Sequence, residues 1–189
     1  MMVTLTVLVV ALSAGGPAAK EQPMSEPRFP AVTGSNLSGK AFKLPGDFEG
    51  TLNVVAIAFT RQQQNDIDTW LPVVTQLTRQ DEGVRFYELP VLGRGYRLLS
   101  GFIEGGMRSG IPDLGARNRT ITLYVDKDGF RGALALPSES SISVLVVDQL
   151  GRVLSRVDGP FTPEKAARLQ DALTSARRAG SQPSIETGR

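Results

Sequence analysis

Residues 51–59, Thr-Leu-Asn-Val-Val-Ala-Ile-Ala-Phe, form an almost continuous apolar, β-prone run. A strand wetted on one face alternates apolar with polar residues, so an unbroken run of this length predicts a strand covered on both faces. Directly after it the apolar period changes. Thr60 and Gln63 stand at capping-box spacing, and Ile67, Trp70, Leu71, Val74 and Leu77 follow at helical intervals. A central strand thus feeds an amphipathic helix that must lie back on the sheet.

The rest of the chain repeats this switching of period. Residues 84–92 read as a second strand, and residues 120–125, with Ile121, Leu123 and Val125 alternating, as a third. Between them, residues 98–115 are interrupted by glycines and are expected to be partly helical at best. A short helix is expected over 127–136. Residues 141–148 and 152–157 predict a hairpin turning at Gln149-Leu-Gly151. Thr162 reads as the N-cap of a closing helix with Pro163 at its first position and Ala166, Leu169, Leu173 and Ala176 in one stripe. Ahead of everything, residues 41–44 after the turn Ser38-Gly39-Lys40 predict a small N-terminal strand pair. This order describes an α/β fold: a mixed central sheet flanked by helices, with an N-terminal β-hairpin extension.

Phe29-Pro30, Gly39, Leu44-Pro45-Gly46 and Phe48, followed by the strand ending at Phe59 and its helix, resemble the opening of thioredoxin-like proteins of the peroxiredoxin and periplasmic thiol-oxidoreductase kind. Val146-Val-Asp-Gln-Leu-Gly151-Arg-Val, ending in Gly159, is similar to their hairpin. The resemblance implies a Cys-x-x-Cys pair at the strand-to-helix junction. Counting forward from Phe59 or back from Pro72 puts the first cysteine at Gln64 and the second at Ile67. The proline that normally precedes the hairpin strand in such proteins falls near Ile142 and is also absent. Neither an amide nor a branched alkane supplies a thiolate, so thiol–disulfide activity is not expected.

The chain is more closely similar to the mitochondrial ATP synthase assembly factor family, which is also thioredoxin-like. The likeness rests on Phe59 with the helix through Trp70, on Gly106-Met-Arg-Ser-Gly-Ile-Pro-Asp113, and on Arg119-Thr-Ile-Thr-Leu-Tyr-Val-Asp-Lys127, within residues 29–173. It implies a non-enzymatic role, helping a membrane-embedded subunit fold or assemble.

Composition narrows the chemistry. The 189 residues include no Cys and no His. Disulfides, redox dithiols, Cys- or His-ligated metals, Ser–His hydrolases and HExxH metalloproteases are therefore excluded. The 21 basic and 19 acidic residues leave a net charge of +2, without a dense basic run, so nucleic acid is not an expected partner. Residues 3–14 are an almost unbroken apolar run that leads into small residues, which reads as a signal peptide over 1–19 despite the lack of a basic start; a misassigned start or a membrane-proximal tether is the alternative. A linker over 20–28, a thioredoxin-like domain over 29–178 and a disordered tail over 179–189 complete the expected organisation. Export to a periplasmic or membrane-associated location departs from the mitochondrial setting of the family.

Two clusters are candidate partner-binding sites. Arg61, Gln62, Gln63 and Gln64 lie where the superfamily's active site opens, and first-turn amides there make a nest for a carboxylate or other anion; helix-start solubility accounts for the same residues. Met107, Arg108, Ile111 and Asp113 lie in an expected glycine-rich loop, where Met107 and Ile111 suit an apolar helix. The alternative is a packed loop with Arg108 paired to Asp113. Asp126, Asp128 and Gly129 lack a further carboxylate before Glu139 and do not make a calcium loop. Asp66 and Asp68 point to different helix faces, and Gly93-Arg-Gly95 lacks the Gly-Lys-Ser/Thr of a phosphate loop. Asn36-Leu-Ser38 and Asn118-Arg-Thr120 are glycosylation sequons.

The expected function is that of a redox-inactive thioredoxin-like binding or assembly factor, needing no cofactor and no metal. Its partner is expected to be a protein, such as a subunit of a membrane complex, with peripheral membrane association. An oxidoreductase relative with residual or partner-dependent redox activity is the alternative from the enzyme class; a structural accessory subunit of an envelope complex is a third.

Overall fold

The computed structural model describes residues 27–181. The expected signal peptide, most of the linker and residues 182–189 lie outside the described residues. Seven strands, β1 (Val32–Asn36), β2 (Ala41–Leu44), β3 (Leu52–Ala58), β4 (Val84–Gly93), β5 (Ile121–Val125), β6 (Ser143–Asp148) and β7 (Val153–Asp158), form one mixed sheet in the order β2-β1-β5-β4-β3-β6-β7. β3, β4 and β5 are parallel, while β1, β2, β6 and β7 join antiparallel at the two sides. The expected N-terminal hairpin is β1–β2.

All seven residues of β3 are buried, as its almost continuous apolar run predicts, and the one polar member, Asn53, is bonded through its side chain to the Gly50 backbone and the Val147 carbonyl. Val55 and Ile57 enter one core with Phe29, Phe48, Leu89 and Phe130, while Val54, Ala56 and Ala58 enter the other with Ile67, Trp70, Phe86 and Leu169. Each large side chain so covered contributes about 1.5–3 kcal/mol through removal from water. The first core is covered by α5 (Lys127–Ala133), which inserts Phe130. The second is covered by α1 (Gln64–Asp68), α2 (Leu71–Gln80) and α6 (Pro163–Ser181). Thr162 caps α6 as expected, its hydroxyl accepting from the Lys165 amide at 3.3 Å. The helix runs on to Ser181, past the expected domain end at 178.

The helix after β3 is not continuous. A 3₁₀ turn at Arg61–Gln63 leads into α1, and α2 begins afresh at Leu71. Pro72 explains the break: it has no N–H for the Asp68 carbonyl, and its ring would crowd that carbonyl in an unbroken helix. The Trp70 amide instead closes a tight turn on the Ile67 carbonyl at 2.8 Å. The apolar stripe survives, with Ile67, Trp70, Val74 and Leu77 all buried.

The glycine-rich stretch differs more from expectation. It holds a 3₁₀ turn at Arg94–Leu99 and two helices, α3 (Ser100–Gly110) and α4 (Leu114–Arg119). Residues 105–110 are therefore helical, and only Ile111, Pro112 and Asp113 remain as the connection. Side-chain tethers to the sheet offset the poor helix propensity of the glycines. Ser35 donates to Glu104 at 3.2 Å, Thr122 to the Met107 sulfur at 3.8 Å, and Arg108 to the Leu37 carbonyl at 2.8 Å.

Gly34 lets the hairpin dock. A Cβ there would lie 2.6 Å from both a Leu123 methyl and the Thr122 carbonyl, so β1 approaches β5 closely only because position 34 has no side chain. Asn36 is buried rather than offered for glycosylation, and its side-chain oxygen accepts from the amides of Ser38 and Lys40.

Candidate functional site

The junction after β3 is held by Gln63. Its side-chain oxygen accepts from the amides of Phe59 at 2.7 Å and Thr60 at 3.3 Å, and its nitrogen donates to the Glu139 carbonyl at 2.7 Å. That bond ties the strand-to-helix junction to the segment leading into β6. Gln63 is buried, so it anchors the site and is not part of its surface. Arg61 and Gln62 are exposed beside it.

Gln64 opens α1 and is half-buried. Its amide nitrogen donates to Asp68 at 2.9 Å and to Glu88 at 3.3 Å. Glu88 lies within β4 and is only 3% exposed. Its other oxygen accepts from Arg119 Nε at 3.3 Å, and the Arg119 guanidinium also lies over the Phe86 ring, 5.8 Å from its centroid. Burial holds the Glu88 carboxyl above the usual range; Arg119 and the Gln64 amide pull it down without cancelling that effect, and Asp68 pushes it up. The result is a buried acid lying between the first turn of α1 and the end of α4.

Ile67 is buried in the second core with Trp70 and Val74. It presents nothing to solvent. Ile142, immediately before β6, is likewise fully buried, and its carbonyl accepts from the Gly159 amide at 2.8 Å.

The second expected cluster is only partly a surface. Met107 is half-buried and turned toward Thr122 of β5, and Ile111 is half-buried with its carbonyl accepting from Arg117 at 2.6 Å. Asp113 caps α4 by accepting from the Ala116 amide at 2.6 Å. Arg108 bonds the Leu37 carbonyl rather than Asp113. The guanidinium nearest Asp113 belongs to Arg119, at 3.9 Å. Arg119 thereby joins the two expected clusters, with Asp113 on one side and Glu88 with Gln64 on the other.

The sequence singles out neither Glu88 nor Arg119 as a candidate site residue. An acid inside Phe86-Tyr-Glu88-Leu-Pro-Val-Leu92 is a signal, because a buried strand holds a carboxylate only when something partners it. Nothing in the sequence named Arg119 as that partner.

No family model and no curated protein matches the sequence. Solved structures do match by fold. A putative electron transfer protein from Aquifex aeolicus VF5 has a TM-score of 0.58 at 13% identity, over 81% of this chain and 98% of that one. BsSco, described as a member of the Sco family of cytochrome c oxidase assembly proteins, has a TM-score of 0.55 at 13% identity, over 81% and 95%. The exposed lipoprotein thioredoxin of Streptococcus pneumoniae has a TM-score of 0.50 at 15% identity, over 77% and 99%. The chain has a thioredoxin-like fold and no cysteine, and so lacks the group that thiol–disulfide exchange requires.

Proposed function

We propose that this chain is a non-enzymatic thioredoxin-like binding module, exported to a periplasmic or membrane-associated location, that assists the folding or assembly of a membrane protein complex. One observation carries this reading: the positions expected for the redox pair are filled by structured non-redox side chains. Gln64 is bonded into the Glu88–Arg119 pair, and Ile67 is part of the core. A site that had merely lost its cysteines would have no need of a buried acid bonded to an arginine and an amide. Such an arrangement keeps a fixed polar surface, with Arg61, Gln62 and Gln64 at the strand-to-helix junction and Arg119 beside them.

Fold supplies the second support, by analogy alone: BsSco is described as belonging to a family of assembly proteins. The sequence resemblance to the mitochondrial ATP synthase assembly factor family makes ATP synthase the complex to test first. The experiment is photo-crosslinking from position 61 in the full chain, followed by purification from membranes of the native host. Enrichment of ATP synthase subunits supports the proposal, and enrichment of another membrane complex retains the assembly role while changing the client. Recovery of the chain only as a free soluble species, or turnover above blank in insulin-reduction or peroxide-consumption assays, overturns it.

A further inference from the structure

Four of the eight large apolar side chains exposed among the described residues fall within one short stretch: Tyr96, Leu98, Leu99 and Phe102. Leu98 is 96% exposed and Phe102 86%. They stand on the 3₁₀ turn Arg94–Leu99 and the start of α3, a helix with no buried residue among the described side chains. Single exposed leucines are ordinary, but a run of four apolar side chains left in water marks a surface that meets something.

The charges beside this run indicate what it meets. Arg94 and Arg97 come from the same turn and, with Lys43 of β2, line a cavity of about 540 Å³ at the ends of β4 and β5. No acidic residue lines it. Three cations stand around this cavity, and the adjoining groove, which shares Arg94 and Val125, carries Lys127 with Asp126, Asp128 and Glu139, so the positive charge is confined to the Lys43, Arg94 and Arg97 side. Cations placed beside aromatic and aliphatic side chains match a bilayer interface, where apolar groups enter the acyl boundary and guanidinium groups stay with anionic headgroups.

We propose that Tyr96, Leu98, Leu99 and Phe102, with Lys43, Arg94 and Arg97, form a docking surface for an anionic lipid bilayer. It is separate from the Gln64–Glu88–Arg119 site and does not depend on the function proposed for that site.

The absence of cysteine supplies the test, because one introduced thiol is then unique. In the full chain, Leu98→Cys carries an environment-sensitive nitrobenzoxadiazole label; Leu98 is almost fully exposed, so the core is untouched. The control label is on Gln170→Cys, exposed on α6, which packs against β6 and β7 at the other side of the sheet. Adding vesicles of phosphatidylcholine with phosphatidylglycerol should blue-shift the label at 98 and raise its emission by about threefold, with little change at 170. Vesicles of phosphatidylcholine alone should give a smaller response. Arg94→Glu with Arg97→Glu in the labelled chain should weaken the response to anionic vesicles by about tenfold or more. A silent label at 98, as a protein partner for this surface would leave it, overturns the proposal. So does an equal response at 98 and 170, or a response unchanged by the charge reversals.

Discussion

Gln64 donates an amide hydrogen to the buried carboxylate of Glu88 at 3.3 Å, joining the first turn of α1 to the middle of β4. The contact places the residue expected at the first redox position against an acid that the sheet buries and that Arg119 holds from the other side. Most of the behaviour expected of this site follows from that acid.

Glu88 makes stability depend on pH. Burial raises its carboxyl in the folded chain above the ordinary glutamic acid range, so the folded state keeps this proton to higher pH than the unfolded state does. Its contribution to stability is therefore complete below the ordinary range and is lost as pH rises through the raised folded value. Glu88→Gln removes the titration while keeping the shape. The melting temperature of the variant relative to the native chain should rise between about pH 4 and about pH 7.5. A difference that is constant with pH, or that falls, would show the carboxyl is not held high.

Arg119 should be coupled to that acid. Arg119→Ala removes the guanidinium bond to Glu88 and its contact with the Phe86 ring, and should cost about 1–3 kcal/mol in urea unfolding at neutral pH. In the Glu88→Gln background the same change leaves no buried charge behind. The cost should then shrink by at least about 0.5 kcal/mol. Additive effects in the double-mutant cycle would mean that the pair is a geometric neighbour with no energetic link.

How much of this was legible in the sequence depended on whether a local signal existed. β3 and α6 were readable from period and capping alone, because neither needs information from elsewhere in the chain. The break before α2 was present in Pro72, but the continuous apolar stripe of Ile67, Trp70, Val74 and Leu77 masked it. α3 was not readable, since Gly101, Gly105, Gly106 and Gly110 argue against a helix and the contacts that hold it reach back to Ser35, Leu37 and forward to Thr122. Glu88 left a trace as an acid in an apolar strand. Arg119 left none, because its role exists only once β4 and α4 are side by side.

A thiol at position 64 should be a poor nucleophile in this protein. In Gln64→Cys the sulfur would stand near Asp68 and Glu88, the two carboxyl groups that the native amide contacts. Negative charge nearby disfavours a thiolate, so the thiol should titrate at or above its ordinary value of about 8.5. Adding Glu88→Gln should lower it. The pH dependence of iodoacetamide alkylation measures both, with a single reactive residue in the chain. A thiol well below the ordinary value in the single variant would mean that the positive potential of the helix start and Arg119 outweighs the acids.

Two glycines should respond in opposite directions to the same added methyl group. At Gly34 a Cβ would meet Leu123 and the Thr122 carbonyl at 2.6 Å, and both belong to a buried strand that cannot retreat without disturbing the core. Gly34→Ala should therefore push β1 from β5 and cost about 1–3 kcal/mol or more. At Gly101, on α3, nothing lies within 4 Å of the added atom, and the backbone is already helical. Gly101→Ala should stabilise by about 0.4–1 kcal/mol, mainly by restricting the unfolded chain. Urea unfolding followed by the fluorescence of Trp70, the only tryptophan, reads both variants from one buried ring. If Gly34→Ala proves neutral, the hairpin docks more loosely on β5 than this register indicates. If Gly101→Ala destabilises, residue 101 is not helical in solution.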